Sequence, residues 1–439
     1  MPKITPLNAT APAARQPMCA WRRLVVSLPL IVVVAVGGRA SFAWNQGRKI
    51  PANLVGIVPF QQETGNIARS LALGKGFSSP FNQGTGATAW LTPVYPLLLA
   101  GIFRIFGIFT AASFIVAVAL NIIFSAAACL PIFYAGRKIA GVSVGASAAW
   151  FWAIFPNAIM IPFEWIWDTC LTALVAALIL WFTLKLAEST RARDWCLYGL
   201  LWGFALMTNP ALGSLLPFLL AWAAYRARGC GRRSPALAAL ALLMVLLCCT
   251  PWTVRNYTAF HRFVPLRSTF PVALWLGHNR VFDPRAPATT RVTPYQEARE
   301  YQRLGEDAFM RKKWAEALLF IRTHRALEID LFEQRFVAFW AGLDSPFKRF
   351  LDAESLGDRI LLLANFLAAM GTLAGLAAVW IKWRQYAFAL SAFPVVFPWM
   401  YYATLPYLRY RQPIDPILML LAALALDALR HHKSLGHSR

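Results

Sequence analysis

Residues 91–107 read LTPVYPLLLAGIFRIFG, and whether this stretch crosses a bilayer sets the orientation of everything that follows it. It is apolar, yet Pro93 and Pro96 stand at its start and Arg104 near its end. If it spans, every later loop inverts and RARGCGRR at 226–233 faces outward, against the bias of Lys and Arg toward cytoplasmic loops. If it lies flat, Arg137 and Lys138, then Lys185, Arg191 and Arg193, then Arg226 to Arg233, then Lys382 and Arg384 share one side with both termini. We therefore read 91–107 as an interfacial helix.

The rest of the chain supports a membrane setting. Of 439 residues 58% are hydrophobic, more than the roughly half found in soluble domains. The stretches 112–135, 165–187 and 358–381 reach the length of a hydrocarbon core with no charge in the middle. The spans predicted are 24–44, 112–135, 141–161, 165–187, 195–209, 211–226, 235–253, 358–381, 385–404 and 412–430. Arg15, Arg22 and Arg23 precede the first, as in a signal peptide, but no small-x-small cleavage site is evident and Arg39 sits near its end, so it is read as an uncleaved anchor. Asn209-Pro210 between two short spans is a candidate kink.

The expected fold is thus an all-α polytopic membrane protein with about ten transmembrane helices, interfacial helices and a helical non-cytoplasmic loop region. It divides into a basic cytoplasmic tail 1–23, a membrane domain 24–253 holding a first outer loop 45–111, and a large outer region 254–357. C-terminal spans at 358–430 and a cytoplasmic tail 431–439 complete it. Apolar spacing predicts helices over 294–310 and 314–338 in the outer region. The formal charge of +23 would point to nucleic acid in a soluble protein; here membrane orientation explains it, and no nucleic-acid partner is expected. The seven cysteines encode no disulfide framework and no CxxC metal spacing. No Walker loop, GxSxG elbow, HExxH or dinucleotide fingerprint is present.

Acidic residues are scarce. Glu63 and Glu164 are the only ones in the first 167 residues, and Asp168 is the first aspartate. The topology puts all three at the outer face, and the spacing of Glu164 and Asp168 puts them on one face of a helix. Ionisable groups at membrane depth tend to mark a pathway or site; the alternative is solvated charge in the headgroup region. Glu63 opens a short helix that Gly74 and Gly76 are placed to end. An acid favoured there by the helix dipole is the plain structural reading. Three carboxylates also leave a divalent metal open, with no other cofactor implied.

The complementary cations are Arg255, Arg262 and Arg267 in TPWTVRNYTAFHRFVPLRS (250–268), and Arg409 and Arg411 in LRYRQPIDP (408–416). Arginines from two distant places at one surface suit a lipid phosphate, because the guanidinium fork binds its oxygens in pairs. Headgroup anchoring within an aromatic belt is the alternative for any single one.

In order, these motifs run from an anchor helix through an acidic first loop, ExGxIAxSLAxGxGFSxP, and xPxYPLLLAxxFRxFG to PWTxRNYxxFxRFVPLRS and RYRxPIxP. Together they resemble the GT-C glycosyltransferases, from about residue 24 to 430. The likeness is to the bacterial relatives of protein O-mannosyltransferases and of the lipid A aminoarabinose transferase, the family 39 type. The resemblance implies an inverting enzyme of the plasma membrane. Such an enzyme takes a hexose or pentose from a polyprenyl-phosphate donor and passes it to an envelope acceptor outside. It further implies Glu63 as the acceptor-activating base, replacing the family's usual aspartate with one methylene more. Asp168 stands for a second acid, with Glu164 as its competitor, and Arg255, Arg409 and Arg411 neutralise the carrier phosphate. A polytopic transporter or flippase of a lipid-linked glycan, and a non-catalytic polyprenyl-lipid binding protein, are the other readings. The lack of two similar halves argues against the first.

Overall fold

The computed structural model describes residues 27–50, 60, 63–81, 84–230, 234–278, 297–341 and 356–436. Among them no strand forms; Ser78 and Ala87 make an isolated antiparallel bridge. The all-helical reading therefore holds, and the chain is a multi-pass membrane protein. Helix Val94–Phe106 has 13 residues. At 1.5 Å per residue it rises about 20 Å, short of the roughly 30 Å hydrocarbon core. Gly107, at φ +92°, stops it, and the Thr110 side chain with its Ser113 partner caps the next helix.

Five helices are long and apolar enough to cross a bilayer among the described residues: Leu28–Gly47, Ala111–Ala140, Thr169–Leu186, Pro235–Phe260 and Arg359–Lys382. A sixth is gained if Val142–Ile154 and Pro156–Glu164, bent by 46°, are one broken span. Ten were expected. Ala192–Thr208 and Leu216–Ala227 have 17 and 12 residues, and the 3-10 turn Pro210–Leu215 separates them, at the Asn209-Pro210 kink. The last helix, Asp415–Gly436, carries Asp427 and Arg430 within it.

Close approach of backbones packs the bundle, as expected where lipid offers no hydrophobic drive between helices. Gly371 and Gly375, four apart on Leu356–Lys382, face Leu421 and Ala422 of the last helix. A Cβ at Gly375 would collide with the Leu421 carbonyl, and one at Gly371 would lie 2.8 Å from Ala422 Cβ. The central helices bury Trp152, Trp195, Tyr198 and Trp202 completely. Arg39, the odd charge in the first span, is also fully buried. It bonds Ser125 Oγ at 2.9 Å and the carbonyls of Ala35, Trp152 and Ala153, so it ties three helices together.

The seventh predicted span runs on through Arg255 and Asn256 to Phe260, so both lie on helix Ser234–Phe260 and not beyond it. Within residues 254–357 the structure places Ala298–Leu304, Glu306–Thr323 and Arg325–Ala341; Gly305, at φ +76°, divides what spacing predicts as one helix. Buried Glu306 fastens this region to the first loop. It accepts from Ala89 N–H at 2.8 Å, Ser268 Oγ at 2.6 Å and Tyr301 Oη at 2.6 Å, and from Thr88 Oγ1. With Ser268 N–H donating to the Ala89 carbonyl at 2.9 Å, segments 88–92 and 266–269 are held side by side.

Candidate active site

Ends of helices and their connections converge on a cavity of about 160 Å³. Glu63 comes from the first turn of helix Glu63–Ala72, and Asp168 directly precedes Thr169–Leu186. Arg267 follows Ser234–Phe260, and Arg409 lies in the short turn Leu408–Arg411 before the last helix. All four line the cavity, together with Trp90, Asn209 and Tyr401. Gly65 is what lets the Glu63 helix start so close to the preceding chain: a Cβ there would run into the Phe60 carbonyl.

The two carboxylates are prepared differently. Burial pushes the Glu63 carboxyl above the ordinary range, against the pull of its own backbone, Arg409 and a hydrogen bond from Trp90. Asp168, 8% exposed, is pushed up to about 6 by burial, against Arg267 and then hydrogen bonds from Thr172 and Asn209 and the charge of Arg409. Thr172 Oγ1 donates to Asp168 Oδ2 at 3.2 Å, and Asn209 is oriented by accepting from Ala211 N–H at 3.0 Å. Asp168 is therefore held by Thr172 and Asn209, and Glu63 by its own backbone and Trp90.

Arg409 sits in an aromatic cage. Its guanidinium carbon lies 4.0 Å from the Trp165 ring centre and 5.0 Å from those of Trp167 and Tyr410. Nη2 reaches Tyr410 Oη at 3.3 Å, but buried Nε and Nη1 have no partner. A buried guanidinium with open donors is a ready receptor for an anion, because an unmade hydrogen bond to a charged group costs more than a neutral one. Arg267 makes no ion pair or hydrogen bond among the described residues, and its charge acts on Asp168.

The other expected site residues have different work. Arg411 is not at the cavity. It is fully buried, pairs through Nε with Asp415 Oδ1 at 2.7 Å, and bonds the Trp340 carbonyl and Asn365 Oδ1. Arg255 also points away: Nη1 and Nη2 donate to the Thr88 and Phe77 carbonyls, each at 2.6 Å, and its guanidinium lies 5.0 Å from the Trp252 ring centre. It is a clamp on the first loop. Glu164 is exposed and does not share a helix face with Asp168, because the chain turns extended at Trp165, φ −130° and ψ 101°, between them. Among the described residues no three His, Cys, Asp or Glu side chains are arranged to hold a metal ion. Glu63, Glu164 and Asp168 thus do not form the three-carboxylate group considered for a divalent ion, and no step is assigned to one. Sequence reasoning passed over Trp90 and Asn209 as ligands of the acids, and over the indoles of Trp165 and Trp167 around Arg409. The W-x-W spacing next to Asp168 was the available signal.

The sequence profile of the dolichyl-phosphate-mannose-protein mannosyltransferases matches residues 91–254. The apo oligosaccharyltransferase of Archaeoglobus fulgidus superposes with a TM-score of 0.56 at 15% identity, over 95% of this chain and 52% of that one. The archaeal oligosaccharyltransferase AglB from the same organism, in complex with an inhibitory peptide and a dolichol-phosphate, superposes with a TM-score of 0.54 at 14% identity, over 96% of this chain and 52% of that one. The chain has the GT-C fold. No curated sequence matches it. The chain spans about half the length of these two archaeal structures. Its cavity residues lie both inside the profile match, as with Asp168 and Asn209, and outside it, as with Glu63, Arg267 and Arg409.

Proposed function

We propose that the chain is a plasma-membrane glycosyltransferase that moves a hexose or pentose from a polyprenyl-phosphate donor to a lipid, glycan or protein acceptor on the extracytoplasmic side. The observation that carries this reading is one cavity lined by two carboxylates and two arginines, of which Arg409 has two buried donors unpaired. The solved GT-C relative in complex with a dolichol-phosphate supports a lipid-phosphate ligand for such a fold.

In the reaction, the acceptor oxygen attacks the anomeric carbon from the face opposite the phosphate, and Glu63 takes its proton. The bond from that carbon to the phosphate oxygen breaks, its electron pair stays with the departing polyprenyl phosphate, and the configuration inverts. Arg409 and Arg267 meet the charge that grows on the phosphate, in a site already organised for it. Glu63 is assigned as the base because burial raises its basicity and it faces Arg409 across the cavity. Asp168, bonded by Thr172 and Asn209, places its negative charge where it is felt together with the positive charge of Arg267.

A pH profile of bare polyprenyl-phosphate release from labelled donor tests this assignment. Both acids must be ionised, and both are raised by burial, Asp168 to about 6. The rate is therefore expected to fall by the time pH drops through about 6, where Asp168 takes up its proton, well above the limb near 4 that ordinary carboxylates give. A rate unchanged down to about pH 4.5 contradicts it.

A further inference from the structure

We propose that the Thr64 hydroxyl is a substrate-binding group that recognises an alcohol O–H beside the reacting centre. This rests on the glycosyl-transfer reading above. Thr64 follows Glu63 in the first turn of helix Glu63–Ala72, lines the same cavity and is 1% exposed. Its Oγ1 is buried and has no hydrogen-bond partner.

A threonine inside a helix turn normally settles its hydroxyl on a carbonyl four residues back. The chain does this at Thr172 toward the Asp168 carbonyl, at Thr183 toward Ile179, at Thr208 toward Phe204 and at Thr372 toward Ala368. Thr92, also on the cavity wall, gives its hydroxyl to the Thr208 carbonyl at 2.7 Å. Thr64, in the first turn, has no carbonyl of its own helix four residues back, and its hydroxyl takes no other partner. A buried hydroxyl without a partner destabilises the free protein, and valine of the same shape would remove that cost. Keeping threonine there is accounted for by a ligand atom that completes the bond when the cavity is filled. A hydroxyl both donates and accepts, which matches an alcohol of a sugar ring or of a polyol acceptor. Its place one residue from Glu63 puts the contact next to the oxygen that loses its proton.

The test compares Thr64→Val and Thr64→Ser with the unaltered full-length chain. Binding of undecaprenyl phosphate is measured with and without an attached mannose, glucose, galactose or arabinose, together with transfer kinetics and thermal unfolding. Thr64→Val is expected to be at least as heat-stable as the parent, and Thr64→Ser to keep ligand behaviour close to it. If the bonded hydroxyl is the donor sugar's, Thr64→Val weakens binding of a glycosylated lipid several-fold while binding of bare undecaprenyl phosphate is unchanged. If it is the acceptor's, lipid binding stays intact and the KM for acceptor rises. Unchanged binding and kinetics, or a loss of heat stability in Thr64→Val with no ligand-specific effect, overturns the proposal. Loss of the Glu63 base assignment would instead show as transfer surviving in Glu63→Gln, and the Thr64 binding contrast is read independently of it.

Discussion

Replacing Glu63 with glutamine is expected to lower transfer about 10²- to 10⁴-fold, the range of a lost general base, while donor binding survives. The change is nearly isosteric and leaves an oxygen able to accept the Trp90 hydrogen bond. What it removes is the negative charge that faces Arg409 and takes the acceptor proton. Arg409 keeps its aromatic cage and its open donors, so the lipid phosphate still has its receptor. Single-turnover transfer measured beside equilibrium donor binding separates the two effects. Parental turnover in Glu63→Gln would remove Glu63 from the chemistry and leave a lipid-binding protein or transporter as the better reading.

The second large effect concerns stability, and it separates two arginines that lie two residues apart. Arg411→Met is expected to destabilise the fold by about 3–5 kcal/mol, because it strands a buried Asp415 without its counter-ion. Asp415 Oδ2 already lacks a hydrogen-bond partner, and Arg411 is the one cation paired with this carboxylate among the described residues. The Trp340 carbonyl and Asn365 lose a donor as well, and with it goes the seam between Arg325–Ala341 and Leu356–Lys382. Folded yield and the unfolding midpoint in detergent should both drop, and Asp415→Leu added to Arg411→Met should recover much of the loss. Arg409→Met, in contrast, is expected to leave unfolding close to the parent and to weaken binding of a polyprenyl phosphate. An Arg411→Met protein as stable as the parent would show that the pair does not hold the last helix in place.

This contrast also shows where the sequence stops being informative. Arg255, Arg262, Arg267, Arg409 and Arg411 look alike as letters in aromatic, polar stretches. For Arg411 a local signal existed, since Asp415 lies four residues on, at the spacing of a helical ion pair. For Arg255 there was none: its partners are carbonyls 167 and 178 residues away, set only once the first loop folds back. The convergence of Glu63, Asp168, Arg267 and Arg409 was legible in part. Reading 91–107 as interfacial puts them at one surface, and the 13-residue helix found there agrees with that reading. Their assembly into one cavity needed the Glu306 clamp and the break at Trp165, which long-range contacts and a local turn decide. The number of spans was not legible in the same way, because apolar runs of 12 to 17 residues form shorter helices here. Periodicity alone cannot tell such packing from a crossing.

The account stands most directly on what happens to the anomeric bond. Purified protein in sealed vesicles, given a polyprenyl-phosphate donor labelled separately in sugar and lipid, should release bare polyprenyl phosphate while the sugar label moves to an acceptor with inverted configuration. Recovery of both labels on one intact lipid, moved to the opposite leaflet, would contradict it and make the chain a carrier of lipid-linked sugar.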